Sequence, residues 1–475
     1  MPSTRRTDPF IISLTPQIGI PFAGRRGALI ALFLESAELG ADGQSLSRYR
    51  ITEIMEQNQL MPTLAREDVR VLLLVTCFVA AALFLFLCGI TRIKTFNLDE
   101  KPYVNSARFL VYDNSHWTPD HPPLGKSLIA AGIKVAGDNP LGWRIASAVS
   151  GSLTLAAIML LTYLLLGSME YTVIAGLLTL FDNFLFVMSR TAMLDAFLVL
   201  FLFWGYLFFL AAVATNYPRR TRSVCLILSG ILLGLATACK WNGLFSIAAL
   251  IVIGCVVYLR QRNFSLPLLL GSFSVLPAVA YSATFICLFR YSGTPFTLSN
   301  LFAIQGRMYR FMAALAGNDF IHVPWFVWPF EIAPQRGLLY LVGNYAVMFG
   351  GLLALGVCGW RVARRLALRK STAASAGHAA PELTPELTVV GLYLVNLTQW
   401  VVIPHKIVCY YYYYPCALLL SLALVLAFYR SERKQLFGIR LSIVPVVAAI
   451  AIFLFCYPHM ASLEAPWDTL LGYWR

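Results

Sequence analysis

Apolar residues in this chain come in long runs, not in the alternating or one-sided patterns of a soluble fold. The first run, Val71 to Ile90, contains no charged residue. Others fall near 141–166, 171–189, 192–214, 224–239, 242–259, 267–289, 337–360, 387–404, 409–429 and 440–458. Roughly 20 apolar residues cross the bilayer hydrocarbon as a helix, and a helix satisfies its own backbone there. The pattern therefore predicts an all-α polytopic membrane protein with about 11 transmembrane helices. The runs at 224–239 and 242–259 are short, and Lys240-Trp241-Asn242-Gly243 joins them by a tight turn.

Two long polar intervals, 91–140 and 290–336, interrupt the series. Residues 100–111 of the first suit a helix. In the second, Leu301, Ile304, Met308, Phe311, Met312 and Leu315 recur at helical spacing, with Arg307 and Arg310 on the other face. This predicts an amphipathic helix, lying in the outer membrane interface or else packed on the bundle by its apolar face.

The flanks differ from the membrane part, 71–458. Residues 1–70 carry eight arginines, scattered Pro and Gly, and one short apolar run, Ala28 to Leu34. That run is too short to span and has no small-residue cleavage pattern. The segment reads as a disordered cytoplasmic tail, or partly as an effect of start-site choice, since Met55 and Met61 also precede the first span. Segment 371–386, rich in Ala, Ser, Pro and Glu, reads as a flexible linker. Residues 459–475 read as a short extracytoplasmic tail.

Composition agrees: 59% of residues are hydrophobic and 13% charged. The net charge of +14 could suggest nucleic acid in a soluble protein. Here the basic residues sit between apolar runs, so topology explains them and no nucleic acid is expected. Arg219, Arg220, Arg222, Arg260, Arg262, Arg361, Arg364, Arg365, Arg369, Lys370, Arg430, Arg433, Lys434 and Arg440 share one side with the arginine-rich tail. That side is read as cytoplasmic, in a multi-pass protein of the plasma (inner) membrane. Both long loops then face outward. The ten cysteines lie in or at the ends of apolar runs, without disulfide-framework or metal-site spacing.

The chemistry-bearing residues gather on the outer side. Asp99 and Glu100 follow the first span closely. Adjacent carboxylates there can take a proton, hold a cation, or simply cap a helix. Arg144 opens the second span, and Arg190 and Asp195 flank the turn between the third and fourth. Lys240 and Lys406 stand at outer span ends. Charges this close to hydrocarbon are costly and are candidates for function. Arg190 with Asp195 also suits a structural pair. His121 before Pro122 and Pro123 shapes a turn. With His116, Asp113 and Asp120 it matches no strong ligand pattern, so no metal is expected. Tyr410 to Tyr414 at an outer span end fit an aromatic belt, or stacking on a sugar or isoprenoid. A transporter would concentrate polar groups or broken helices at mid-membrane. The charges at the outer ends favour an interfacial enzyme.

Several motifs in order resemble one family, the protein O-mannosyltransferases and related phospholipid-carrier-dependent glycosyltransferases of GT-C fold. They are Leu98-Asp99-Glu100 with Tyr103-Val104; His121-Pro122-Pro123-Leu124-Gly125-Lys126; Gly142-Trp143-Arg144; and Ser189-Arg190 with Met193-Leu194-Asp195. Lys240-Trp241-Asn242-Gly243, Trp328-Pro329, Gly343-Asn344 and the stretch from Lys406 to Pro415 complete the series. Lys406 stands where the family has Arg, and Tyr412 where it has His. Loop 290–336 is too short for the eukaryotic β-trefoil insertion, so the chain resembles the bacterial type.

The resemblance implies a polyprenyl-phosphate sugar donor, usually of mannose, a Ser or Thr hydroxyl of a protein as acceptor, and no cofactor. Asp99 would be the base of an inverting transfer, and Glu100 would orient the acceptor or tune Asp99. Arg144, Lys240 and Lys406 would stabilise the leaving phosphate. His121, Lys126, Arg190 and Asp195 complete the expected substrate-binding set. Enzymes of similar fold pass other carrier-linked sugars to lipid or glycan acceptors, which is the rival reading.

Overall fold

The computed structural model describes residues 61–112, 116–214, 217–261, 265–314, 324–331, 341–372, 383–402, 409–429, 435–436 and 439–463. Most of the tail read at 1–70, most of the linker read at 371–386 and most of the terminal stretch read at 459–475 lie outside them, as do Asp113 and Lys406.

The described chain is helical apart from one pairing of Gln435–Leu436 with Ile439–Arg440. On the site side of the first span, α1 (Met61–Leu87) leads through a short 3-10 turn to α2 (Glu100–Tyr112) and α3 (Leu124–Ala136). There follow α4 (Pro140–Leu166), α5 (Met169–Leu180), α6 (Asn183–Ser189), α7 (Leu194–Val213), α8 (Arg219–Cys239), α9 (Gly243–Gln261) and α10 (Leu266–Tyr291). The remainder are α11 (Leu298–Ala314), α12 (Tyr345–Thr372), α13 (Pro385–Val402), α14 (Tyr414–Tyr429) and α15 (Val444–Met460).

Local sequence explains the boundaries near the site. Asn139 caps α4, accepting from the amides of Leu141 and Gly142, and Pro140 occupies the first turn, where its missing N–H costs nothing. Gly142 lets α3 and α4 close tightly: a Cβ there would stand 1.9 Å from the Gly137 carbonyl oxygen. The predicted span at 171–189 is broken. Asp182 accepts from the Leu185 amide and starts α6 anew, bent by 59° from α5.

A helix stands at each of the eleven predicted places, but the count of eleven spans is not carried. Among the described residues seven helices are long and apolar enough to cross a membrane, or eight if the bent α5–α6 pair is one span. The helices α9 and α15 are shorter, and α13 is not among the seven. The bundle has a buried centre and a lipid-facing rim. In α4 and α7, 89% and 83% of the spanning residues are buried, against 22% in α1 and 28% in α12.

The two ends of α14 separate two chemistries. At its C-terminal end, Arg361 donates to the carbonyls of Leu426 and Ala427. At its N-terminal end stand the tyrosines, about 24 Å away by helix rise. The second long interval does contain a helix, α11, and its predicted face is turned inward. Leu301, Ile304 and Met308 are buried against the protein, not presented to lipid. The period was right. In a membrane, apolar residues pack on protein as readily as on acyl chains, so period alone does not orient a helix.

Candidate active site

Two carboxylate–cation pairs meet at one end of the bundle. In the first, Arg144 sends Nε to Oε1 and Nη2 to Oε2 of Glu100, each at 2.7 Å. The same guanidinium donates to the carbonyls of Ile93 at 2.7 Å and Thr95 at 2.8 Å. Glu100 also accepts the amides of Asn97 at 2.7 Å and Ala192 at 2.6 Å. Both side chains are fully buried. The arrangement laces the loop after α1 onto α4 and onto the start of α7. Within that loop Leu98 adopts φ 47°, a left-handed conformation costing about 1–3 kcal/mol for a side-chain-bearing residue. The laced network holds it, and the next residue is Asp99.

Asp99 stands just before α2, the position of a helix cap, yet its carboxylate accepts a hydrogen bond from the Tyr411 hydroxyl. It is partly exposed, whereas Glu100 is sealed. The second pair lies beside it. Lys240, at the C-terminal end of α8, donates to Oδ2 of Asp195 at 2.6 Å. Its ammonium sits 5.3 Å from the Tyr411 ring centre and 5.0 Å from that of Tyr412, within cation–π reach of both. Tyr412 stacks on Trp400 at 4.6 Å and 10°, and buried Trp328 meets both edge-on.

A third cluster borders these. Tyr103 and His121 rings lie 6.1 Å apart. Burial pushes Tyr103 well above 10, and the charges of Asp99, Asp120 and Asp195 push the same way, so it is a neutral hydrogen-bonding group. Burial drives His121 down to about 3; Asp120 opposes this, while Lys240 and Lys126 assist it. His121 is therefore an uncharged imidazole at neutral pH. Lys126, fully buried, donates to the Asp120 carboxylate and, at 2.5 Å, to the Thr118 carbonyl, under the Trp117 ring. Burial alone would raise Asp120, but the Lys126 ammonium beside it outweighs this and holds the carboxyl below its usual range.

The expected residues thus divide. Asp99, Lys240, Asp195 and His121 share one neighbourhood. Glu100 and Arg144 form the scaffold behind Asp99, and the donors of Arg144 point to Glu100 and backbone carbonyls. Lys126 fixes loop 117–121. Arg190 is buried, donating to the carbonyls of Phe86 at 2.7 Å and Cys88 at 2.6 Å. The structural pairing of Arg190 with Asp195 does not form; Asp195 takes Lys240 instead. Lys406 lies outside the described residues.

The tyrosine run corrects the sequence reading. It is not a belt at the membrane surface: Tyr410, Tyr411, Tyr413 and Tyr414 are buried, and Tyr411 and Tyr412 line the site. Tyr103, on α2, lines the site as well. The available signal was five consecutive tyrosines, more hydroxyl-bearing rings than one helix end can turn toward an interface.

Residues 137–303 match the family described as dolichyl-phosphate-mannose-protein mannosyltransferase. Over 199 residues the chain is 36% identical to the polyprenol-phosphate-mannose–protein mannosyltransferase of Corynebacterium glutamicum, covering 34% of this chain and 37% of that protein. It is 29% identical over 372 residues to the enzyme of the same name from Mycolicibacterium smegmatis, covering 62% of this chain and 72% of that one. In fold it resembles the S. cerevisiae protein O-mannosyltransferase Pmt1-Pmt2 complex bound to the sugar donor, with a TM-score of 0.71 at 13% identity. That match covers 86% of this chain and 92% of the other. The chain is thus similar in part to the protein mannosyltransferases, spanning little more than a third of the Corynebacterium protein, and it shares the fold of the yeast complex. A second structure, ArnT from Cupriavidus metallidurans bound to undecaprenyl phosphate, aligns with a TM-score of 0.54 at 17% identity, over 82% of this chain and 66% of that one. Arg144, Arg190, Asp195 and Lys240 fall inside the matched family region, while Asp99 and Tyr411 lie outside it.

Proposed function

We propose that this multi-pass membrane protein transfers mannose from a polyprenyl-phosphate carrier to a Ser or Thr hydroxyl of a protein. We place the site on the extracytoplasmic face of the plasma membrane, as the basic loops at the far end of the bundle suggest. The observation that carries the reading is Asp99: a half-open carboxylate, aimed by Tyr411, beside a lysine at one end of an apolar bundle. The names of the relatives support the donor and the acceptor class.

In this mechanism Asp99 takes the acceptor's hydroxyl proton as the oxygen attacks the anomeric carbon. The bond from that carbon to the phosphate oxygen breaks on the opposite side, so configuration inverts. Negative charge grows on the departing phosphate. Lys240 is the cation placed to meet it: it is buried, it makes one bond to Asp195, and an ammonium carries three donors. Lys406 serves as a second cation. Arg144 acts through Glu100 as a positioning residue for Asp99. Neutral His121 and Tyr103 offer hydrogen bonds without adding charge.

The test is purified protein in lipid, with labelled polyprenyl-phosphate-mannose and a Ser/Thr peptide. Wild type should transfer mannose to the peptide. Asp99→Asn should lose about 10²–10⁴-fold in turnover while retaining donor binding. Transfer only to a lipid or glycan acceptor, or full turnover by Asp99→Asn, would sink the reading.

A further inference from the structure

The helix α11 has three distinct sides. One is buried against the protein through Leu301, Ile304 and Met308. A second is apolar and open: Leu298, Phe302 and Tyr309 are 73%, 72% and 68% exposed and fall within about 40° of one another around the helix. The third is basic, with exposed Arg307 and Arg310 at about 120–180° from Leu298. A soluble surface would not leave three large apolar side chains in one open stripe.

The setting of the helix selects the occupant. It begins after six residues from the end of α10, a candidate span whose last turn carries exposed Arg290. So short a connector keeps α11 within about 20 Å of the membrane boundary. The helix is also firmly mounted. Trp241 Nε1 donates to the Tyr281 hydroxyl at 3.0 Å, which donates to Gln305 of α11 at 2.6 Å. Trp241 adjoins Lys240, so this surface is tied to the candidate active site.

We propose that α11 docks on the bilayer surface and binds the headgroups of anionic phospholipids. Leu298, Phe302 and Tyr309 enter the acyl boundary. Arg307 and Arg310, with Arg290, meet lipid phosphates at headgroup level. A basic edge beside an apolar stripe matches such a lipid in charge and in polarity. The stripe that enters the bilayer is thus a different one from the face expected from the apolar period.

The experiment uses the full chain in nanodiscs of phosphatidylcholine, with or without phosphatidylglycerol. Spin-labelled lipids report the preference for phosphatidylglycerol over phosphatidylcholine. p-Cyanophenylalanine in place of Phe302 reports depth through quenching by brominated lipid or by aqueous iodide. Wild type should prefer phosphatidylglycerol, and brominated lipid should quench position 302. Arg307→Glu with Arg310→Glu should reduce the preference at least about tenfold, whereas the double Lys variant should keep it, since the attraction to anionic headgroups needs the positive charges. The Lys variant also controls for folding. Quenching by iodide, protection from both quenchers by a second copy of the chain, or a lipid preference unchanged in the Glu variant would overturn the proposal. None of these readouts depends on sugar transfer.

Discussion

Glu100–Arg144 and Asp195–Lys240 are both buried carboxylate–cation pairs with contacts of 2.7 Å and 2.6 Å. They differ in how completely they are satisfied. Glu100 accepts four hydrogen bonds, and Arg144 spends its remaining donors on backbone carbonyls. Lys240 makes one bond to Asp195 and otherwise faces aromatic rings. A guanidinium fork matched to a carboxylate and to fixed carbonyls has no reason to let go. An ammonium with spare donors can accept a new anion. Similar burial and similar distance therefore fit a scaffold in one case and, under the proposed mechanism, a reactive site in the other.

The sharpest way to break the comparison is to remove one partner of the scaffold. Arg144→Ala leaves Glu100 buried without its cation, a loss of about 3–5 kcal/mol in stability. Thermal unfolding in detergent should show a large drop. Arg144→Lys should recover only part of it, because the fork is lost. Donor affinity measured on whatever Arg144→Lys remains folded should stay near wild type. A donor affinity that collapses while the melting temperature holds would return Arg144 to the phosphate site.

On the other pair, Lys240→Met combined with Asp195→Asn avoids stranding a buried carboxylate. Turnover should fall about 10²–10³-fold, the usual loss when one donor to a developing oxyanion is removed, with a smaller change in melting temperature than for Arg144→Ala. A double variant with normal turnover but poor stability would make this pair a second scaffold.

Tyr411→Phe deletes the hydroxyl that holds Asp99 and keeps the ring beneath Lys240. A hydrogen bond to a charged group contributes about 1.5–3 kcal/mol, so turnover should drop roughly tenfold or more. Donor affinity should stay near wild type, because the hydroxyl positions the base and not the phosphate. Turnover that matches wild type would mean that Tyr411 only packs.

At neutral pH the smallest effect is that of His121. Its folded value of about 3 lies below the ordinary 6.5, so the unfolded chain takes up a proton that the folded protein refuses. This contribution to stability is complete above about pH 6.5 and is lost as pH falls toward about 3. His121→Gln should flatten that part of the stability profile. An unchanged profile would assign the acid loss to the carboxylates, Asp120 among them, whose depressed value acts in the same direction.

The chain's hydrophobic pattern by itself placed a helix at every predicted membrane position and put the polar chemistry at span ends. The spacing of Asp99, Asp195 and Lys240 against those ends marked them as candidates, because a charge at the edge of hydrocarbon is visible without any coordinates. What the pattern could not decide is who faces whom. Arg144 finds Glu100 across 44 residues, Lys240 finds Asp195 across 45, and Tyr411 finds Asp99 across 312. Arg190 lies nearer to Asp195 in sequence, yet its donors go to the end of α1. The buried tyrosines and the orientation of α11 were hidden for a related reason. Lipid and protein interior are equally apolar, so hydrophobicity records that a side chain avoids water but not which of the two receives it; only the packed bundle makes that choice.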